Sequence, residues 1–252
     1  MATATGLDAF LARFPRTDGY WQLDDPETHR AWADAHWRRR ARESRIYNEP
    51  TTATLPVVPA DHPLAREWGE RADTLERLAT HVTRLWRSLV ILDVGCGCGW
   101  LAHRLAMARG NYRVYGLDRD RRELALASRV FLHQQRLRFM QCDALTAPLP
   151  EGCADIVVLA ATLEHVEAPG RLVERCLSWL APNGELHIVD SPIARTGHWA
   201  STATAVAWDT LEPYRPDVLY DPAAWPNRLA AWWWGEVPRT RHPWLKIARP
   251  AP

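Results

Sequence analysis

The stretch Asp93-Val-Gly-Cys-Gly-Cys-Gly99 sets three glycines at alternate positions directly after an acid. Glycines there let the backbone turn tightly and approach a ligand, while the helix that follows offers its amide N–H groups to an anionic group. The spacing is G-x-G-x-G, and Trp100 stands where a dinucleotide site has its third glycine. Two more acids fall after apolar runs. Asp118, followed by Arg119, follows Tyr112–Leu117, and Asp143, followed by Ala144, follows Leu137–Gln141. An acid at the first place can take both hydroxyls of a ribose. At the second it can accept from an adenine amino group while a neighbouring amide donates to a ring nitrogen. Arg119 is expected over the adenine face. Glu164-His165 follows another apolar run, Asp155–Ala160; a histidine with a pKa near neutrality suits removal of a proton from a phenol, enol or amine. His198 is a further candidate base.

Elements that position these residues follow from the pattern. Leu89–Val94, Tyr112–Leu117, Leu137–Gln141, Asp155–Ala160 and Glu185–Asp190 read as strands. Helices are expected from Trp100 to Ala108, Arg121 to about Gln135 and Pro169 to Leu180, with a turn at Pro182-Asn-Gly184. Such alternation means a parallel sheet covered on both faces, which binds ligands beyond the carboxyl ends of its strands. Upstream, Asp25-Pro26-Glu27 is a helix start, for a helix to about Arg45 that carries Arg38, Arg39, Arg40 and Arg42. These arginines read either as a solvated face or as a patch for an anionic substrate. A second helix should run from Asp61-His62-Pro63 to about Arg87. Residues 1–60 are thus expected as a helical extension and 61–252 as the main domain, with a cofactor-binding half over 85–193 and an acceptor-side segment over 194–252.

These residues resemble the class I S-adenosylmethionine-dependent methyltransferases over about 85–193. Leu163-Glu-His-Val166 followed by Pro169 is similar to the small-molecule branch that includes the ubiquinone and menaquinone methyltransferases. The resemblance implies a Rossmann-like α/β fold whose seven-stranded, mostly parallel sheet ends in an antiparallel strand, for which Leu245–Ala248 is the candidate. It implies S-adenosylmethionine as cofactor, held by Asp93, Gly95, Cys96, Gly97, Gly99, Asp118, Arg119, Asp143, Ala144, Ala160 and Leu163. Glu164 and His165 become the candidate catalytic pair, acting on a small-molecule acceptor. The usual C-terminal ending of the family is not recognisable in this chain.

Composition narrows the alternatives. Lys+Arg is 31 and Asp+Glu 30, a net charge of +1, which excludes attachment to nucleic acid by bulk charge alone. Ala160-Ala-Thr-Leu163 lacks the polar-Pro-Pro-aromatic run of amino-methylating DNA enzymes. No cysteine follows a proline, as a cytosine C5 nucleophile would, and no acids stand at 160 and 161 for metal-dependent catechol methylation. Methylation of RNA or protein has only the arginine-rich helix behind it. A protein that binds the cofactor without catalysis and a nicotinamide-dependent dehydrogenase are the readings from other classes; Trp100 disfavours the second.

No run of 18 apolar residues exists, so no membrane span is expected. MATATGLDAFLARFPR lacks a basic start and long apolar core, so a secretory signal is not expected either. The five cysteines do not form a disulfide framework, and a reducing, cytoplasmic setting is expected. Cys96 and Cys98, with no second pair at zinc spacing, make a poor ligand set, so no metal is expected. Seven of the 14 tryptophans lie at 199, 208, 225, 232, 233, 234 and 244, beside Tyr214 and Tyr220. They read as large rings holding a Pro-rich segment to the sheet, as an aromatic acceptor pocket, or as a surface between subunits.

Overall fold

The computed structural model describes residues 4–194, 205–221 and 242–249. Trp199, Trp225, Trp232, Trp233, Trp234 and His198 lie outside them. The described chain opens with α1 (Ala4–Leu11), β1 (Arg16–Thr17) and β2 (Tyr20–Gln22). A short 3-10 turn, Pro26–His29, capped by the Asp25 carboxylate, leads into α2 (Arg30–Arg42). Then come α3 (Glu49–Thr54) and α4 (Ala65–Thr83). The alternating part follows as β3 (Leu89–Val94), α5 (Trp100–Ala108), β4 (Tyr112–Asp118), α6 (Arg121–Val130), β5 (Leu137–Gln141), β6 (Ala154–Ala160), α7 (Pro169–Trp179) and β7 (Leu180–Val189). Short strands β8 (Ile193–Ala194) and β9 (Val206–Ala207) pair with each other, and β10 (Asp217–Tyr220) and β11 (Trp244–Ala248) complete the main sheet.

That sheet runs β1-β2-β5-β4-β3-β6-β7-β11-β10. The strands from β2 to β7 are parallel, and β11 lies antiparallel against β7, with Leu245 opposite Ile188. The Rossmann-like architecture and the antiparallel strand at Leu245–Ala248 are as expected. Among the described residues the sheet has nine strands rather than seven, because the N-terminal segment is not wholly helical. Asp18 and Gly19 both take positive φ, 50° and 89°, the geometry of a two-residue hairpin. That hairpin lays Trp21 and Gln22 beside Met140 and Gln141 and covers the otherwise open edge of β5.

Every residue of β3 is buried, as befits a strand packed on both faces. Alternation divides the core. Val90, Leu92 and Val94 face Leu172, Val173 and Trp179 of α7, with Leu7 and Leu11 of α1. Leu89 and Ile91 face Leu78 and Val82 of α4, Leu101 and Leu105 of α5, and Leu124 of α6. The expected turn at Pro182-Asn-Gly184 lies within β7 as a bulge: Ala154 pairs with Leu180, yet Ile156 pairs with Glu185. Trp208 and Tyr214 pack against the first of these cores and Trp244 against the second. All five cysteines are buried free thiols. No helix among the described residues is long and apolar enough to cross a membrane. Connections from β3 and β6 leave in opposite directions across the sheet, so a crevice opens between their carboxyl ends.

Candidate functional site

The crevice begins with the glycine loop. Gly95 and Cys96 donate their amides to Leu117 O at 2.8 and 3.0 Å. Gly95, Gly97 and Gly99 all have positive φ, yet space divides their roles. A Cβ on Gly95 would lie 2.6 Å from Thr162 Cγ2, and one on Gly99 would lie 2.5 Å from the Phe139 ring. At Gly97 the nearest atoms, on Arg40 and Glu123, are 3.9 Å away. Gly95 and Gly99 thus serve close packing, whereas Gly97 leaves room for a ligand. Gly99 makes the turn into α5 and is not part of the cavity wall; Gly95, Cys96 and Gly97 are.

Acids at the strand ends surround this loop. Asp118 accepts the Gly97 amide at Oδ2 and the Asp120 amide at Oδ1, both at 2.8 Å. These bonds fix the carboxylate beside the loop and leave further lone pairs for hydroxyl donors. The helix cap that follows is Asp120, which accepts from Arg122 N. Asp93 is buried and receives a bond from the Ala102 backbone, but its Oδ2 has no hydrogen-bond partner among the described residues. Burial, with the Asp118 charge second, pushes Asp93 up to about 7. An orphaned acceptor on the cavity wall suits a ligand that brings N–H groups or positive charge. These features fit the amino-acid and ribose ends of S-adenosylmethionine.

At the third strand end Asp143 accepts from Leu145 N at 2.9 Å and lies 3.5 Å from Arg119 Nη1. Asp24, just after the hairpin, accepts from the Asp143 amide and from Gln141 Nε2. Arg119 lines the cavity, with one face of its guanidinium against an aromatic ring. Its guanidinium carbon is 3.4 Å from the centroid of the Trp32 ring, which α2 brings to the cavity. Ala144 and Ala160 line the cavity. Leu163 does not: its side chain is 1% exposed and belongs to the core, where an apolar side chain is best placed, and Ala161 and Thr162 occupy the wall instead.

The roof was not legible as such in the sequence. Trp32, His36, Arg39 and Arg40 line the cavity, whereas Arg38 and Arg42 are exposed. The arginine run is therefore split by helical spacing, with 32, 36, 39 and 40 on one face. Arg40 Nε lies 3.2 Å from buried Glu123 Oε1, which ties α2 to α6 over Gly97. Burial pushes Glu123 up to about 7 despite that guanidinium. The far wall comes from α4 and the segment before it. Glu67 takes Arg45 at 2.6 Å and Arg71 at 3.0 Å, and Trp68 Nε1 donates to Tyr47 Oη at 3.1 Å. Asp190, at φ 55°, accepts from Thr74. The cavity volume is about 670 Å³.

Glu164 and His165 both line this space. Burial pushes the Glu164 carboxyl up, and its Oε2 accepts from Ser191 Oγ at 2.8 Å. His165 stands at the rim with its outer edge open to solvent. Its inner edge meets Arg39 Nη2, 3.3 Å from Nδ1. Loss of hydration, then the positive field of Arg39, Arg40, Arg45 and Arg71, pulls it down to about 4.

A second cluster lies away from the cavity. Ligand-type atoms of His81, Glu185 and His187 lie within 4.8 Å of one another. Trp244 Nε1, which only donates, points at His187 Nδ1 from 3.1 Å. The His187 proton is therefore on Nε2, directed to Glu185 Oε2 at 3.2 Å, and no lone pair remains there for a metal. Burial opposes the Glu185 charge, but hydrogen bonds from His187 and His81 outweigh it and hold that carboxyl well below its usual range.

Several known proteins are similar to this chain over its alternating part. Residues 92–188 match the family described as Methyltransferase domain. An uncharacterized methyltransferase, Rv0089, of Mycobacterium tuberculosis is 36% identical over 115 residues, which is 45% of this chain and 57% of the relative. A ubiquinone biosynthesis O-methyltransferase of Albidiferax ferrireducens is 32% identical over 154 residues, 54% of this chain and 60% of the relative. The chain thus spans less than two thirds of the length of these curated relatives. Among solved structures, the [4+2]-cyclase SpnF aligns over 73% of this chain and 83% of its own, with a TM-score of 0.56 and 19% identity, a likeness of fold alone.

Proposed function

We propose, from the match of residues 92–188 to a methyltransferase domain, that this chain transfers the methyl group of S-adenosylmethionine to a small-molecule acceptor. The observation that carries this is the pairing of an open Gly97, braced by Asp118, with the orphaned carboxylate oxygen of Asp93 on one cavity wall. The roof of α2 supports a small acceptor over a macromolecule, because it closes over the loop through the Arg40–Glu123 pair.

When bound, the cofactor supplies an already activated methyl group on a sulfonium. What the chain must do is align and exclude water. Asp118 is assigned to the ribose hydroxyls, Asp93 to the positively charged amino-acid end, and Asp143 with the Ala144 amide to the adenine edge. Trp68, Trp100 and Tyr47 exclude water from the acceptor side.

Of the two candidate bases, Glu164 is the better. Burial pushes its carboxyl up, whereas loss of hydration lowers His165, whose Nδ1 lone pair is engaged by Arg39. For an acceptor that must lose a proton, Glu164→Gln is expected to lower kcat about 100-fold, and His165→Ala less than tenfold. The reverse order in steady-state rates would return the base role to His165.

Asp93 gives binding a pH dependence. Free, it holds a proton below about pH 7; beside a cation it is held ionised, so binding below that pH must expel the proton. Affinity for S-adenosylmethionine should therefore fall as pH drops from 8 to 6, by at most about tenfold per unit. Asp93→Asn should flatten the profile. Calorimetry showing affinity that rises toward pH 6 would contradict the assignment.

The function itself is tested by following S-adenosylhomocysteine release with panels of phenols, carboxylates and amines. Turnover of one class is the expected result. Tight cofactor binding with no turnover on any panel would instead favour a binding protein without catalysis.

A further inference from the structure

Among the described residues, Arg39 is the arginine of this cavity without a carboxylate partner. Arg40 is paired with Glu123, Arg45 and Arg71 share Glu67, and Arg119 lies beside Asp143. Among the described residues Arg39 pairs with no carboxylate; its contact is the ring of His165 at 3.3 Å. A guanidinium offers five donors in a planar fork, and one neutral ring nitrogen uses one of them. Helical spacing turns this side chain inward with Trp32 and His36, while Arg38 and Arg42 go to solvent.

A second observation concerns the surroundings of that contact. Four guanidinium groups, on Arg39, Arg40, Arg45 and Arg71, act together on the rim at His165, and His36 stands 5.9 Å away between ring centroids. Loss of hydration, then neighbouring arginines that include Arg39 and Arg40 in both cases, lowers both imidazoles. A mobile positive group is thus disfavoured at this spot, and an anion would meet a field already in place. The adjoining walls carry aromatic faces, Trp32 on the roof and Trp68 and Trp100 opposite.

We propose that the acceptor bears a carboxylate, seated by the guanidinium of Arg39 at the His165 rim, so that Arg39 selects anionic aromatic or apolar acids over their neutral isosteres. This rests on the methyl-transfer reading for the word acceptor, but the anion site itself stands on the geometry of α2. A forked donor facing a carboxylate forms two parallel hydrogen bonds, which orients the acceptor as well as holding it.

The test is calorimetric titration of the full chain, saturated with S-adenosylhomocysteine, with benzoate and with benzamide. Benzoate is expected to bind at least tenfold more tightly. Arg39→Gln should abolish that preference and Arg39→Lys should keep part of it, with affinity for S-adenosylhomocysteine within twofold of the parent in both. Equal binding of the two probes to the parent chain, no benzoate binding, or an undiminished preference in Arg39→Gln would each overturn the proposal. Should the chain take no S-adenosylhomocysteine, the cofactor reading fails, and the same probes titrated into the unloaded chain still decide the anion site.

Discussion

Asp118→Ala is expected to weaken S-adenosylmethionine binding by about 1.5–3 kcal/mol, the scale of a lost charge-assisted hydrogen bond at a buried site. In dissociation constant that is roughly 10- to 150-fold. Two losses combine. The hydroxyls of the ribose lose their acceptor, and the amides of Gly97 and Asp120 lose theirs, so the loop beside the ligand loosens as well. Asp118→Asn separates the two in part, since it keeps the volume but cannot accept at both positions. Calorimetric titration of the variant reads the effect; an unchanged dissociation constant would remove Asp118 from the site.

Gly99→Ala should destabilise the fold by about 3 kcal/mol or more. Left-handed backbone at a non-glycine residue costs on the order of 1 kcal/mol or more, and overpacking a filled site adds about 1–3. At Gly99 φ is 74° and a methyl would meet Phe139 and Ala127. For a chain of this size the midpoint of thermal unfolding should fall by roughly 6–12 °C. Gly97→Ala is the contrast. It carries a similar backbone cost, at φ 51°, with no close neighbour. It should fold with a smaller loss and yet bind S-adenosylhomocysteine poorly, because its methyl enters the cleft. Equal melting points for the two variants would contradict the division of roles along the loop.

What the sequence revealed depended on how local the signal was. The run Leu89–Val94 and the loop after it could be read directly, because burial on both faces and a glycine turn each demand particular residue types. The roof could not. Arg38 to Arg42 look alike in sequence, and only the spacing from Trp32 and His36, set against a cavity, separates the inward arginines from the solvated ones. The extra edge strand did leave a mark: Asp18-Gly19 between Arg16–Thr17 and Tyr20–Gln22 is a hairpin signal, overshadowed by the helix start at Asp25-Pro26. The family resemblance implies Leu163 at the cofactor, but a 3-10 turn over Leu163–His165 rotates neighbours to different sides, and the leucine goes to the core. Arg119 was expected to face the adenine, and nothing near it in sequence announces Trp32, 87 positions earlier, as the ring it stacks on.

In the proposed function the crevice bounded by the Gly95–Gly99 loop, Asp118 and Asp93 takes S-adenosylmethionine. The most direct measurement is calorimetric titration of the full chain with S-adenosylhomocysteine, alongside NAD as the competing nucleotide. One saturable site for S-adenosylhomocysteine, weakened by Asp118→Ala and accompanied by no heat for NAD, is the predicted result. Binding of NAD in its place, or no binding of S-adenosylhomocysteine to a chain that melts cooperatively, would contradict it.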